Sequence, residues 1–378
     1  MVKRLAERLY LENAGLAVNA AFNLGRRASA SFWLAVICAA MVYLAISALV
    51  AFGTYFVFLG GENLLHALGF ALLMLAWLAR PRFAEVPKKL LLISEYPAMY
   101  QLVREVANRL DLPQISGIGI NAEFNAAYVR AGWRGDPYIE LGAPLVAVVS
   151  REELIALISH ELAHGANGDP LRGKFLFGAV ETVASWAIAI RPDGLGRLGD
   201  GIPFGGLISI VGIPLEICAL VVSGLLLLFA KGMVMLVLRD SQRAEYLADR
   251  IGASICGGKA MQQLLEKLYL FDVVDMAIQR HALVDPGNSL CDSIERAVDE
   301  IDSQRHAAIC ARLDSDLWQA DSSHPPTRLR INALNALLNA PATSSVEFPG
   351  AEELKAETRK MMKFIERQAI DLKLDAIH

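Results

Sequence analysis

The chain has 378 residues, of which 54% are hydrophobic and only 20% are charged. Its mean hydropathy of +0.38 is too high for every apolar side chain to be buried in one soluble core, so part of the chain should face lipid. The formal net charge of −4, without any block rich in lysine or arginine, argues against a nucleic-acid-binding protein. Five scattered cysteines, never in a C-x-x-C pair, argue against a thiolate zinc site and a disulfide framework.

Four apolar segments, arranged as two hairpins, are predicted to cross a membrane. Residues 1–31 precede them as an amphipathic leader, which is either an interfacial helix or a plain cytoplasmic segment. The first hairpin occupies residues 32–79 and the second occupies residues 172–239. The four segments are Phe32–Leu59, Leu64–Ala79, Phe175–Ile190 and Leu207–Leu238.

Basic residues flank the first hairpin at its two outer ends and are missing from its turn. Arg26 and Arg27 precede it, and Arg80 and Arg82 follow it. Because loops rich in lysine and arginine stay in the cytoplasm, we expect both the N-terminus and the following domain to be cytoplasmic. The sequence leaves a bacterial inner membrane and an organellar membrane open for this multi-pass protein, and we favour the first.

The residues outside the hairpins are predicted to form one α+β domain with a small β-sheet, in two parts of the chain. Together with the four membrane helices, this makes the expected fold class mainly α. Residues 80–171 hold a helix followed by short strands, and residues 240–340 are mostly helical. Residues 341–378 hold a charged amphipathic helix that we expect to be exposed. The elements predicted in the first part are a helix, Tyr96–Leu110, and three strands, Ile115–Ile120, Phe124–Arg130 and Tyr138–Leu141.

An H-E-x-x-H motif runs from His160 to His164 on a helix that opens with an S-x-x-E capping box, Ser150 and Glu153. Residues i and i+4 share a helix face, so both imidazoles can bind one zinc ion while Glu161 reaches a water on it. Zinc lowers the pKa of a bound water from ~16 towards ~7, which lets a carboxylate deprotonate it. The motif alone is equally compatible with a solvated helix face.

A catalytic zinc ion usually has three protein ligands and a water, so a third ligand must lie elsewhere in the chain. Carboxylates are candidates, and Glu245 is prominent because it follows the last apolar segment and shares a helix face with Asp249. The histidines His281, His306 and His324 are also candidates. Taken by itself, the segment around Glu245 also looks like an ordinary solvated helix.

The order of these motifs along the chain resembles the HtpX-like membrane zinc metallopeptidases, a family that includes the CAAX prenyl proteases. The similarity extends over residues 115–335. It implies a zincin-like domain that binds one Zn²⁺ per chain through His160, His164 and Glu245, with Glu161 as the general base. The matching motifs are His160–His164, Asp169, Glu245–Asp249 and His324–Ile331.

The resemblance also implies carboxylates behind the metal ligands. Asp169 and Asp249 would orient the ligand imidazoles. The alternatives are a helix end for Asp169 and a surface acid for Asp249. The resemblance also places Arg243 near the metal ligands. Family members often carry an arginine one position earlier, where this chain has Gln242.

Two further roles concern the substrate. His324 would stabilise the oxyanion, and its alternative is a buried turn residue before two prolines. Phe124, Asn125 and Ala126 resemble the strand of the family on which an extended substrate pairs its backbone.

These observations favour a zinc endopeptidase that acts on membrane-associated proteins, and the resemblance adds a role in membrane protein quality control. Its expected partners are protein or peptide substrates and the lipid bilayer, with no nucleic acid. The oligomeric state is left open. A narrow-specificity processing protease of the CAAX type is the first alternative, and a non-catalytic membrane scaffold that retains the fold is the second.

Overall fold

The computed structural model describes residues 29–59, 63–81, 84–167, 174–191, 208–284, 289–315, 325–335 and 348–375. Within these residues the chain is mainly helical and contains a small mixed sheet, as the sequence predicted. The chain divides into two compact units. The apolar unit comprises residues 27–84 and 173–240, and the mixed unit comprises residues 1–26, 85–172 and 241–378.

The elements of the described residues follow one another in a simple order. They are α1 (Ala30–Leu59), α2 (Asn63–Leu78), α3 (Pro97–Arg109), β1 (Gly117–Asn121), β2 (Ala126–Ala131), β3 (Asp136–Gly142), α4 (Ala143–Val148), α5 (Arg151–Asn167), α6 (Lys174–Ile190), α7 (Ile208–Cys256), α8 (Gly258–Lys267), a 3-10 helix (Leu268–Leu270), α9 (Phe271–Val284), α10 (Leu290–Asp299), α11 (Ser303–Ser315), α12 (Thr327–Leu334) and α13 (Ala351–Asp375).

The four predicted membrane segments are helices in the apolar unit, but they differ in length. Two stretches, Ala30–Phe58 and Glu216–Leu238, are long and apolar enough to cross a bilayer. The other two, Asn63–Leu78 and Phe175–Ile190, are shorter apolar helices. Because crossing the hydrocarbon core takes ~20 residues of helix, the arrangement with four spans stays a prediction.

Small residues allow helices of the apolar unit to approach closely. A Cβ atom on Gly69 of α2 would lie 2.7 Å from the backbone nitrogen of Val57 and 2.8 Å from the carbonyl oxygen of Gly53, both on α1. Between α6 and α7, the Ser223 hydroxyl donates a hydrogen bond of 2.7 Å to the carbonyl of Ala187. Close packing and hydrogen bonds of this kind stabilise contacts between apolar helices.

The sheet of the mixed unit has the strand order β1–β3–β2. The central strand β3 pairs in parallel with β1 and in antiparallel with β2, so that Ile139 lies opposite both Ile118 and Tyr128. β2 is therefore an edge strand of this sheet.

The strand β2 begins at Ala126, two residues later than the sequence predicted, because the chain bends before it. Asn121 accepts a hydrogen bond of 3.0 Å from the backbone N–H of Glu123 through its side chain. The carbonyl of Asn125 accepts one of 2.8 Å from the N–H of Gly142. The bend packs against Gly142 so closely that a Cβ atom there would lie only 1.8 Å from the carbonyl oxygen of Glu123. Only glycine fits at this position.

The core of the mixed unit lies between the sheet and the helices, and α5 runs through it. The terminal helix α13 also joins this core, so the prediction of an exposed helix is wrong for one of its faces. The buried side chains of α13 recur with the helical period of 3.6 residues, so they lie on one face of the helix. The buried apolar residues of that face are Leu354, Met361, Met362, Ile365 and Ala369.

Candidate metal centre

The helix that carries the H-E-x-x-H motif begins as predicted. The backbone N–H of Ser150 donates to Glu153 Oε2 at 2.7 Å, and the N–H of Glu153 donates to Ser150 Oγ at 3.3 Å, which completes the capping box. Every residue of α5 from Glu153 to His164 is buried. The motif is therefore not on a solvated helix face.

The structure brings together the three residues predicted as metal ligands. One ligand atom from each of His160, His164 and Glu245 lies within 4.8 Å of the others, and all three side chains are buried. The two Nε2 atoms are 3.2 Å apart. Glu245 Oε2 is 3.5 Å from Nε2 of His160, and Glu245 Oε1 is 3.4 Å from Nε2 of His164.

Small residues let α7 carry Glu245 to this position. Ala248 is fully buried, and one turn later a Cβ atom on Gly252 would lie 3.6 Å from the backbone nitrogen of His160. Residues four apart share a helix face, so the small residues Ala248 and Gly252 lie on one face of α7, and Gly252 of this face lies against α5. Glu245 and Asp249, also four apart, then both reach the His160 side chain.

Asp249 contacts His160 on the ring nitrogen that points away from the cluster. Its Oδ1 atom is 3.0 Å from His160 Nδ1. A carboxylate in this place accepts the Nδ1 proton, which fixes the orientation of the ring and leaves Nε2 for a metal.

A second partner of this carboxylate, Arg330, is a residue to which the sequence assigned no role. Its Nη2 and Nε atoms lie 2.6 and 2.8 Å from the two carboxylate oxygens of Asp249, and Nη1 lies 3.7 Å from Glu245 Oε2. Only 3% of its surface is exposed. Packing of Ala333 against Tyr246 joins α12 to α7 in this region. Arg330 belongs to the His324–Ile331 motif, and that was the signal available in the sequence.

These contacts shift the ionisation of the buried groups. Burial lowers the pKa of His160, but hydrogen bonds to Asp249 and Glu245 outweigh it and raise that pKa to about 9. Burial raises the pKa of Asp249, yet the adjacent Arg330 charge and its hydrogen bonds dominate and lower the pKa to about 2. Arg330 has its own pKa raised by the same carboxylates, against the effect of burial. Without a metal the ring of His160 keeps a proton that a metal ion has to displace.

Glu161 is held by the edge strand. The backbone N–H of Tyr128 in β2 donates a hydrogen bond of 3.0 Å to Glu161 Oε2. The Tyr128 ring packs on Gly165, where a Cβ atom would come within 2.7 Å of it. β2 and α5 are therefore in contact directly beside the motif.

The remaining predicted site residues are placed as follows. Asp169 and His324 lie outside the described residues. Arg243 is half-buried on α7, two residues before Glu245, and its role stays a prediction. Phe124 and Asn125 precede β2 instead of belonging to it.

The donor set fits zinc. Two imidazole nitrogens and one carboxylate oxygen converge in a buried place, which is the ligand set of a catalytic zinc site that keeps a further position for water or substrate. Histidine ligands usually donate the proton of their other ring nitrogen to a carboxylate, and Asp249 is in that position beside His160. Together with a glutamate beside the first histidine and an edge strand next to it, this arrangement defines a metallopeptidase.

Comparison with known proteins gives the family. A family model described as Peptidase family M48 matches residues 95–338, more than half of the chain, so this chain belongs to peptidase family M48. No solved structure matches it.

Proteins with the name HtpX are among its relatives. The chain is 28% identical over 255 residues to the protease HtpX homolog of Pyrobaculum calidifontis, a match that covers 64% of this chain and 68% of the relative. It is 26% identical to the homolog of Aquifex aeolicus over 52% of this chain and 61% of the relative. It is 28% identical to protease HtpX of Pseudomonas putida over 45% of this chain and 55% of the relative. The chain thus spans between about half and two thirds of the curated relatives that it matches.

Proposed function

We propose that this protein is a membrane-embedded zinc endopeptidase that hydrolyses peptide bonds of membrane-associated proteins. The observation that carries the proposal is the buried cluster of His160, His164 and Glu245, with Glu161 held beside it by β2. Membership of a peptidase family supports the reaction type. The apolar helices α1 and α7 support the attachment to a membrane.

In this proposal His160, His164 and Glu245 hold the zinc ion. When bound, the ion supplies a Lewis acid that polarises the peptide carbonyl and acidifies a water molecule. Glu161 accepts a proton from the attacking water at its carboxylate and later gives it to the departing amine. The hydrogen bond from Tyr128 N–H fixes the position of that carboxylate before the substrate arrives.

Asp249 orients the imidazole of His160, and Arg330 keeps Asp249 ionised and in place. We assign Asp169 to the same task and Arg243 to the surroundings of the metal. His324 would stabilise the negative charge that develops on the carbonyl oxygen of the substrate.

The substrate would bind as a further strand on β2. Because the Asn125 carbonyl bonds to Gly142 on the side of β3, alternation along the strand directs the backbone groups of Ala126 and the carbonyl of Tyr128 to the other side, where the Tyr128 N–H already holds Glu161. A peptide added there, next to Phe124, Asn125 and Ala126, would bring its cleaved bond to Glu161.

The cellular role is part of the same proposal, and its quality-control part rests on the resemblance to the HtpX-like family. We propose that the N-terminus and the catalytic domain are cytoplasmic, in a bacterial inner membrane, and that the substrates are damaged or misassembled membrane proteins. The flanking arginines and the four apolar segments support this orientation.

The test uses the full chain in detergent or proteoliposomes. Glu161→Gln should keep one zinc ion per chain, measured by elemental analysis, and lose at least ~100-fold in cleavage rate. Glu245→Ala should lose the zinc ion as well as the activity. Full cleavage by Glu161→Gln would refute the mechanism.

The alternatives appear as other outcomes of this experiment. Zinc-dependent cleavage confined to prenylated C-terminal peptides would support the processing protease. Wild-type protein without stoichiometric zinc would support the scaffold. In native membranes, the Glu161→Gln variant should trap the substrates themselves, which identifies them by mass spectrometry.

A further inference from the structure

Two phenylalanine rings meet at the start of the edge strand β2. The centroids of Phe124 and Phe271 are 6.0 Å apart, with an angle of 66° between the ring planes. Phe124 lies in the bend before β2 and packs against the hydrophobic core. Phe271 is the first residue of α9, and 48% of its surface is exposed. An edge-to-face pair with an exposed ring offers another apolar side chain a surface on which to pack.

This aromatic pair lies near the proposed base. Tyr128, whose N–H contacts Glu161, is four residues after Phe124. Because even an extended chain advances only ~3.3 Å per residue, the Phe124 backbone lies within ~13 Å of the Tyr128 backbone. A substrate segment of about four residues covers the same distance.

The direction of β2 decides which end of a substrate reaches the pair. Antiparallel pairing is the more stable of the two, and a peptide bound antiparallel to β2 runs from the side of Arg130 towards Phe124. With its cleaved bond at Glu161, the peptide therefore brings its carboxyl-terminal part to the aromatic pair. Successive side chains of an extended peptide point to opposite faces, so only one or two of them can contact these rings.

We propose that Phe124 and Phe271 form an apolar subsite that selects substrates with a large apolar or aromatic side chain two to four residues after the cleaved bond. The proposal rests on the proposed function, because it takes Glu161 as the base and β2 as the substrate strand. Phe271 keeps 48% of its surface exposed beside Phe124, so a substrate side chain can reach the pair.

The experiment compares kcat/KM for matched fluorogenic peptides that carry Phe or Ala at each of the four positions after the cleaved bond. Mass spectrometry of the products locates that bond. Since contacts of an apolar pocket change kcat/KM by ~10–200-fold, the wild-type protein should prefer Phe by at least ~10-fold at one position from the second to the fourth. The preference should fall below about threefold in Phe271→Ala and be intermediate in Phe271→Leu, which keeps most of the apolar volume.

Phe364→Ala is the matched control, because Phe364 is a 56% exposed phenylalanine on the terminal helix α13. It should keep the wild-type preference. An unchanged preference in both Phe271 variants, or a wild-type preference at none of the second to fourth positions, would overturn the subsite and leave the proposed function intact. Wild-type protein that cleaves no peptide in the presence of zinc would overturn the proposed function and the subsite together.

Discussion

Asp249 and Arg330 form a bidentate ion pair behind His160, with nitrogen–oxygen distances of 2.6 and 2.8 Å. Both side chains are almost entirely buried, so neither charge has water to stabilise it in place of the other. The pair also connects α12 to α7, the helix that supplies Glu245. Arg330 therefore holds the carboxylate that contacts His160, one of the predicted metal ligands.

The first prediction concerns Arg330→Ala. Removing one member of a buried ion pair leaves an uncompensated charge, which typically costs ~3–5 kcal/mol. Loss of the partner of a ligand-orienting carboxylate typically lowers metal affinity by ~10–100-fold. We expect a lower melting temperature of the metal-free chain and weaker zinc binding in competition with a chromophoric chelator. Asn332→Ala, at an exposed position of the same helix, should change neither quantity. Wild-type zinc affinity in Arg330→Ala would contradict the role of the pair.

The second prediction concerns Glu357 on α13. Its two carboxylate oxygens accept hydrogen bonds of 2.8 Å from the backbone N–H groups of Ala98 and Met99, in the first turn of α3. Glu357→Ala leaves both buried donors without this acceptor and should lower the free energy of unfolding by ~1–3 kcal/mol. Glu352→Ala on the same helix changes an exposed side chain and should cost less than ~1 kcal/mol. Equal melting temperatures for the two variants would show that α13 does not cap α3.

The third prediction concerns Gly142 at the end of β3. A methyl group there would overlap the carbonyl oxygen of Glu123, which belongs to the backbone and cannot rotate away. Gly142→Ala should therefore cost about 3 kcal/mol or more in stability and shift the bend that carries Phe124. The control is Gly350→Ala, where the nearest atom to an added Cβ is 3.9 Å away. Thermal unfolding followed by circular dichroism measures both, and a melting temperature of Gly142→Ala equal to that of the control would refute the clash.

The fourth prediction concerns the thiol of Cys256. Burial raises its pKa from 9.0 to about 12, and two weaker hydrogen bonds only partly offset this effect. A raised pKa lowers the thiolate fraction, so at pH 8 this fraction is on the order of 1,000-fold below that of an ordinary cysteine. Alkylation of folded protein by iodoacetamide should therefore stay slow and keep rising with pH above 9. In unfolded protein the rate should reach half its maximum near pH 9 and level off about one pH unit higher. The same levelling-off in the folded chain, measured on the Cys256 peptide by mass spectrometry, would contradict the prediction.

Short-range features could be predicted from the sequence because backbone geometry determines them. The S-x-x-E box sets the start of α5, and the four-residue spacing places His160 and His164 on one face. The capping box and the convergence of the two histidines are present in the structure. The bend before β2 was missed because it depends on Gly142, which approaches it only once the sheet has formed.

By itself, the sequence determined that the chain has long apolar helices, a capped H-E-x-x-H helix and a family resemblance that singled out Glu245. Only the tertiary structure decided that Glu245 reaches the two imidazoles, that Arg330 pairs with Asp249 and that one face of α13 is buried. The physical reason is distance along the chain. Neighbours on one helix meet through the fixed geometry of the backbone, whereas partners on different helices meet only where packing of the core brings those helices together.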